Sequence, residues 1–405
     1  MKHCSIQSIE TEIQPFTQKI ESAYSYNFRK VLDSFQMVKV ATHHMAPSFG
    51  YGLSDAGIET LESLVARIFL AEAALVRPQF ISGTQVLFLI LNSLLKKGDF
   101  LLSVFGTPYE TLQGCIGLHS QYPGNLISQG IRYAETDLTA DITPGTASLI
   151  EEANLIWIQK SCGYSTRRSL SNLGILELVK LIRCKNKKAI IAVDNCYGEF
   201  VEPIEPVEAG ADICAGSFLK NPGGGITRTG AYITGKKTLL DKCASHYIAP
   251  GMGFETTPNI GLLSTMFQGL FHAPHTVKES LLGNLFMSRF LSKYGIRSFP
   301  KWEDPHYDIV LRIEFQTGPQ LMRFAELLQQ CSPVDSFAKP IPFHQDGYSS
   351  PIVMAGGTFT PGSSIEFSAD GFVKYPYRLY YQPGMYYEQT KIFAEVLETE
   401  LFNQV

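Results

Sequence analysis

Five consecutive apolar residues, Ala189-Ile190-Ile191-Ala192-Val193, end in Asp194. A strand with one wet face alternates polar and apolar residues, so an unbroken apolar run predicts a strand buried on both sides. Such a strand needs helices on each face of its sheet, which is the α/β arrangement. The chain supplies the other parts in alternation. Ile58, Leu61, Leu64, Val65 and Ile68 recur at helical spacing, and helices are also expected over 84–95 and 174–183. Strands are expected over 74–81, 99–105, 154–159, 189–194, 211–218 and 231–234. This predicts a three-layer α/β/α large domain with a mainly parallel sheet.

The last third changes character. Residues 277–294 read as a long helix between two lobes, 308–315 and 352–359 as strands, and 318–330 and 385–402 as helices. A smaller α+β C-terminal domain follows from this. The expected division is an N-terminal helical arm and interface segment over 1–50, a large domain over 51–285 and a small domain over 286–405. The arm shows clear periodicity only over 17–35. A chain of 405 residues is long enough for this arrangement.

Composition narrows the function. Hydrophobic residues make up 45% and charged residues 18%, a globular balance, and the net charge of -4 offers no basic surface for nucleic acid. The most apolar run, 86–95, is interrupted by Asn92 and is too short to span a membrane. No targeting segment is read in 1–13. The eight cysteines have no paired spacing, which points to a reduced cytoplasmic setting rather than a disulfide or zinc framework. His43-His44 and His272-x-x-His275 lack partner ligands, so no metal site is expected.

Four features carry chemistry. Ser82-Gly83-Thr84 stands between an expected strand and an expected helix, where exposed N–H groups attract a phosphate; an ordinary Ser N-cap explains it equally simply. Tyr109 follows the next strand and offers a ring for stacking, or plain loop packing. Asp194 ends the buried strand at the edge where α/β sheets bind ligands, or caps a helix. Asp212-x4-Ser217-x2-Lys220 runs from an apolar strand into Gly223-Gly224-Gly225, and burial there is expected to lower the pKa of Lys220. No Gly-Lys-Ser/Thr loop accompanies those glycines, which counts against a nucleotide site. Taken jointly, the four supply a phosphate anchor, a ring stacker, a carboxylate for a pyridinium nitrogen and an amine for an aldehyde. These are the requirements of pyridoxal 5'-phosphate.

The blocks around these residues resemble the fold-type-I pyridoxal-phosphate enzymes of cysteine and methionine metabolism. The likeness is nearest to the bacterial methionine γ-lyase-like, or aluminium-resistance, proteins. It rests on Cys162-Gly-Tyr-Ser-Thr-Arg167-Arg-Ser-Leu170, Val193-Asp-Asn-Cys-Tyr-Gly-Glu-Phe-Val-Glu-Pro203 and Gly216-Ser-Phe-Leu-Lys-Asn-Pro-Gly-Gly-Gly225. Ala249-Pro-Gly-Met-Gly253, Phe267-Gln-Gly-Leu-Phe271, Ser332-Pro-Val-Asp-Ser336 and Ser363-Ser-Ile-Glu-Phe-Ser-Ala-Asp370 extend it. The resemblance implies a carbon–sulfur lyase with a Schiff base at Lys220, Asp194 on the ring nitrogen and Tyr109 on the ring face. Ser82, Gly83, Thr84 and Ser217 would hold the phosphate, with Tyr51 from the neighbour in a homodimer or homotetramer.

That branch tends to carry arginine where this chain has Lys160 and Cys162. The substrate carboxylate is therefore left to Arg167, alone or helped by Arg378. An aldolase, a transaminase, a racemase and a catalytically silent cofactor-binding regulator stay open as alternatives, since fold does not fix reaction. Glu199 and Glu202 are expected in local ion pairs or at an interface, and Glu366 and Asp370 in a site wall or a solvated face.

Overall fold

The computed structural model describes residues 6–119, 123–139, 143–249, 251–345, 348 and 350–402. Pro250, in one of the blocks quoted above, and the first five residues lie outside that range. The larger sheet contains β1 (Ala73–Arg77), β2 (Phe100–Ser103), β3 (Arg132–Glu135), β4 (Leu155–Gln159), β5 (Ile190–Asp194), β6 (Ile213–Ser217) and β7 (Ala231–Gly235). Its order is β1-β7-β6-β5-β4-β2-β3. The pairs β2–β3, β2–β4, β4–β5 and β5–β6 are parallel, and β7 runs antiparallel to β1 and β6. The sheet is thus mainly parallel.

The apolar run in β5 is buried as its pattern requires. Ile191 and Val193 enter one core with α2 (Ala56–Ile68), α6 (Asn172–Lys185) and the first half of α8 (Leu263–Lys293). Ala192 enters the opposite core with α3 (Gly83–Leu94), α4 (Glu110–Ile116) and α7 (Lys237–Ser245). Helices therefore cover both faces, with α5 (Pro144–Glu152) crossing between β3 and β4.

The C-terminal sheet contains β8 (Arg297–Phe299), β9 (Leu311–Phe315), β10 (Ile352–Ala355), β11 (Ser368–Phe372) and β12 (Tyr377–Gln382), in the order β10-β11-β12-β9-β8. All its pairs are antiparallel. One face packs on α9 (Gly318–Gln330), α10 (Tyr387–Leu397) and the second half of α8.

Several expected boundaries move, for identifiable reasons. The first helix, α1 (Ile6–Val38), begins far before residue 17 and continues through Pro15. Ile9 and Ile13 fall four apart on one face and enter the C-terminal core, while Val31 enters the core of the larger sheet. Arg289 and Lys293 pair with Glu12 and fasten this arm to α8. Helix α8 likewise begins fourteen residues before the expected position 277, because Pro274 sits inside it without ending it. The strand expected over 308–315 starts at Leu311, since Asp308 turns back to accept Val310 N–H at 3.1 Å. The one expected over 352–359 stops at Ala355, before Gly356 at φ 140°.

The glycine run after Lys220 is a packing device. A Cβ at Gly223 would stand 1.7 Å from Phe218 O, and one at Gly224, whose φ is +56°, would stand 2.4 Å from Gly269 O in α8. Helix and loop therefore meet backbone to backbone. Gly224→Ala is expected to lose about 2–4 kcal/mol of stability, from strain and lost packing together. Urea denaturation would show this as a lower midpoint with an unchanged slope.

Candidate active site

The C-terminal ends of the parallel strands open into one cavity of about 460 Å³. Ser82, Gly83, Thr84, Tyr109, Asp194, Ser217 and Lys220, drawn from far-apart segments, all line it. Ser82 caps α3, its Oγ accepting Gln85 N–H at 3.2 Å, so the capping and cavity-lining roles coexist. Thr84 Oγ1 lies 2.6 Å from Thr111 Oγ1. Ser217 ends β6, and its Oγ accepts Leu219 N–H at 3.1 Å. Tyr109 is held by its N–H, which donates to Gln159 Oε1 at 2.6 Å, and by its hydroxyl, 2.9 Å from that of Tyr348.

Lys220 Nζ lies 3.5 Å from the centroid of the Tyr197 ring and donates to Ser364 Oγ at 3.3 Å. Tyr197 in turn donates to Ser364 Oγ at 2.9 Å, and its backbone adopts a left-handed φ of 70°. Strain of this kind persists where surrounding contacts over-determine a conformation. Burial disfavours the ammonium, but Tyr197, Cys196 and Asp194 outweigh it and raise Lys220 above the usual lysine value. The lowered pKa expected from burial alone is thus corrected to a raised one. Asp194, 4% exposed, accepts Cys196 N–H at 3.1 Å. Burial raises its pKa, against the Cys196 hydrogen bonds and the charges of Lys220 and Arg167.

Three expected site residues are not brought to this lining. Tyr51 is 72% exposed on a loop whose Gly52 packs on Thr257 and Pro258. Arg167 spends Nη1 on Phe105 O and Thr107 O, both at 2.8 Å, and so braces the loop that carries Tyr109. Arg378 pairs with Glu314 at 3.3 Å on the C-terminal sheet. Lys160 is also engaged elsewhere, with Glu202 at 2.7 Å, the local ion pair expected for that glutamate. Glu199 instead accepts from Tyr232 Oη at 2.9 Å inside the core.

The chain can now be set beside known proteins. The profile of the methionine gamma-lyase family matches residues 3–401. The chain belongs to that family. It is a family of pyridoxal-phosphate-dependent carbon–sulfur lyases. The Bacillus subtilis protein YnbB is 40% identical over 388 residues, covering 95% of this chain and 92% of its own. A Listeria monocytogenes protein described as a cystathionine beta-lyase involved in aluminium resistance is 40% identical, with a TM-score of 0.93. The match covers 96% of this chain and 97% of that one. A Clostridium acetobutylicum protein with the same description is 35% identical, at a TM-score of 0.93 over 98% of this chain and 94% of its own. The Escherichia coli pyridoxal-5'-phosphate-dependent protein YhfS, 15% identical, shares the fold, with a TM-score of 0.63 over 94% of this chain and 97% of its own.

Of the two positions expected for Asp370, a site wall or a solvated face, the structure gives the first. Asp370 of β11 lines the cavity beside Tyr109, Tyr164 and Tyr348. Ring centroids lie 5.4 Å apart for Tyr109 and Tyr164 and 6.0 Å apart for Tyr164 and Tyr348. Burial pushes Asp370 up to about 6, against a hydrogen bond from Tyr164 and the charge of Lys220.

A carboxyl whose pKa rises on folding costs stability as pH rises, because the folded form keeps a proton the unfolded form has lost. The cost grows from the ordinary value of 3.8 to about 6 and is complete above it. Asp370→Asn should therefore stabilise the protein by about 1–3 kcal/mol at pH 8, with the gain fading toward pH 4. Urea unfolding at both pH values reads this directly; a gain independent of pH would contradict it.

Proposed function

We propose that this protein eliminates a thiol from a sulfur-containing amino acid, with Lys220 as the residue that carries pyridoxal phosphate and moves the substrate's α-proton. The observation that supports this most is the setting of Lys220 Nζ. It is held by the Tyr197 ring and Ser364 Oγ in the cavity that also contains Asp194 and the hydroxyls of Ser82, Thr84 and Ser217.

This donor set fits the cofactor. Three hydroxyls and the first N–H groups of α3 suit a phosphate, a buried carboxyl suits a protonated ring nitrogen, and a buried amine suits an aldehyde. When bound, pyridoxal phosphate supplies an electron-poor ring that stabilises negative charge at the substrate α-carbon. Ser82, Gly83, Thr84 and Ser217 would hold the phosphate, Tyr109 would lie against the ring, and Asp194 would keep the ring nitrogen protonated. Lys220 Nζ takes the proton from the α-carbon and returns a proton as the thiol leaves from the β or γ carbon. Ser364 Oγ and the Tyr197 ring keep that amine from swinging out of line. Arg167 acts through the Tyr109 loop, whose carbonyls it ties together.

A shared site between subunits is part of this proposal. Phe49, Tyr51 and Leu53 are exposed large apolar residues on the same segment, and Ile81, beside the phosphate anchor, is exposed as well. Apolar residues grouped in this way favour cover by another chain. Tyr51 of a second subunit would then reach the phosphate anchor.

Lys220→Ala is expected to abolish the visible absorbance of the holoenzyme and to reduce turnover at least a thousandfold. A panel of cysteine, cystathionine, methionine and homoserine derivatives should yield a keto acid with ammonia, and a thiol where sulfur is present. Release of glycine would mark an aldolase instead. A borohydride-reducible adduct that persists in the Lys220→Ala protein would overturn the assignment of the lysine.

A further inference from the structure

A second cavity, of about 210 Å³, lies between segment 162–169 and the C-terminal sheet. Alternation along β9 and β12 sends Leu311, Ile313, Leu379 and Tyr381 into the C-terminal core. Arg312, Glu314, Arg378 and Tyr380 are left to the other face. That face abuts the loop: Tyr380 Oη donates to Tyr164 O at 2.5 Å, and Arg312 Nη1 donates to Ser165 O at 3.4 Å.

Arg312 is 6% exposed and short of acceptors. A guanidinium carries five N–H donors. Among the described residues, the long contact to Ser165 O is its one hydrogen bond, and its Nε has none. The nearest carboxylate, Glu314, stands 3.7 Å from Nε. Glu314 is also engaged by Arg297 at 2.9 Å and by Arg378 at 3.3 Å, so one negative charge serves three positive ones. Arg167 and Arg168 add two more from the facing wall. Asp308, in the same lining, is spent on Ser161 Oγ at 2.8 Å, Cys162 N–H at 3.2 Å and Val310 N–H at 3.1 Å. Asp304 accepts Lys301 N–H at 3.3 Å. A buried cation without its own anion is costly, and a ligand that supplies acceptor oxygens relieves that cost.

We propose that this second cavity binds a small oxyanion, with Arg312 and Arg168 as its principal charge partners. Phosphate and carboxylate share the required chemistry: negative charge and acceptor oxygens matched to a guanidinium. The site is separate from the phosphate anchor at Ser82 and does not rest on the reaction assigned to the cleft. The Ser161–Tyr164 loop borders both cavities. Ser161, Gly163 and Tyr164 line the cleft, and Cys162 lines the anion site. An anion bound there presses on the wall of the cleft.

The test is calorimetric titration of the protein saturated with pyridoxal phosphate, so that the Ser82 anchor is filled. Inorganic phosphate and acetate are the two probes, at constant ionic strength in chloride. One equivalent of phosphate or acetate should bind, and whichever binds identifies the source. Arg312→Gln and Arg168→Ala should each weaken binding at least tenfold. Glu314→Gln, which removes the competing carboxylate, should tighten it several-fold. Arg168 is exposed, so its substitution leaves the fold intact and keeps the test readable if Arg312→Gln misfolds. No binding of either anion, or equal affinity across the three variants and the parent, would overturn the site. Failure to take up pyridoxal phosphate would count against the proposed cleft chemistry alone.

Discussion

Gln159, Asp194 and Ala215 stand side by side in the parallel ladder of β4, β5 and β6. Their main-chain pairing decides where each strand ends, and hence where each functional side chain leaves the sheet. Gln159 holds the Tyr109 loop, Asp194 lies in the middle, and β6 delivers Ser217 and then Lys220. A slip of one residue in β5 would exchange Asp194 with Val193 and turn the carboxyl to the other face. Ile191 and Val193 fill one core and the smaller Ala192 the other, so the slip would also mismatch side-chain volume on both faces. The geometry of the cavity lining here is a consequence of register.

Register alone does not hold Lys220. Its loop is gripped from below and from the side. Gly223 and Gly224 press against Phe218 and against Gly269 of α8, where no Cβ fits. Ser364 N–H donates to Leu219 O at 3.1 Å, and Ser364 Oγ meets both Lys220 and Tyr197. Ser364 stands in the connection between β10 and β11, just before Ile365 and Phe367. Ile365 enters the core of the larger sheet and Phe367 the C-terminal core, so the lysine is positioned where the two cores meet.

The features that were readable from the sequence are local ones. An apolar run ending in Asp194, a Ser-Gly-Thr turn before a helix and a Ser-x-x-Lys before glycines each compress their meaning into a few residues. The partners that complete the site do not. Ser364 is 144 positions from Lys220, and Asp370 and Tyr348 reach the cavity only because the C-terminal sheet folds over it. Tyr197 lay three residues after Asp194 and carried a weak signal, but its left-handed backbone has no mark in residue type. Arg167 was singled out for its charge. Sequence gives no sign that Phe105 O and Thr107 O draw its Nη1 toward the neighbouring loop, while its buried Nε keeps no partner among the described residues. Pro15 and Pro274 sit inside helices that begin well before residues 17 and 277, where tertiary burial outweighs the lost hydrogen bond.

The Ser161–Tyr164 loop separates two opposite electrostatic environments. On the cleft side, Asp194 and Asp370 flank Lys220, and no arginine is in the lining among the described residues. On the far side, Arg167, Arg168 and Arg312 gather around acids already spent on other donors. The loop is tied to the arginine side through Ser161 Oγ on Asp308 and Tyr164 O on Tyr380. At low dielectric these charges are felt across one layer of backbone. Burial, the larger effect, raises the pKa of Asp194, while among these guanidiniums Arg167 acts to lower it.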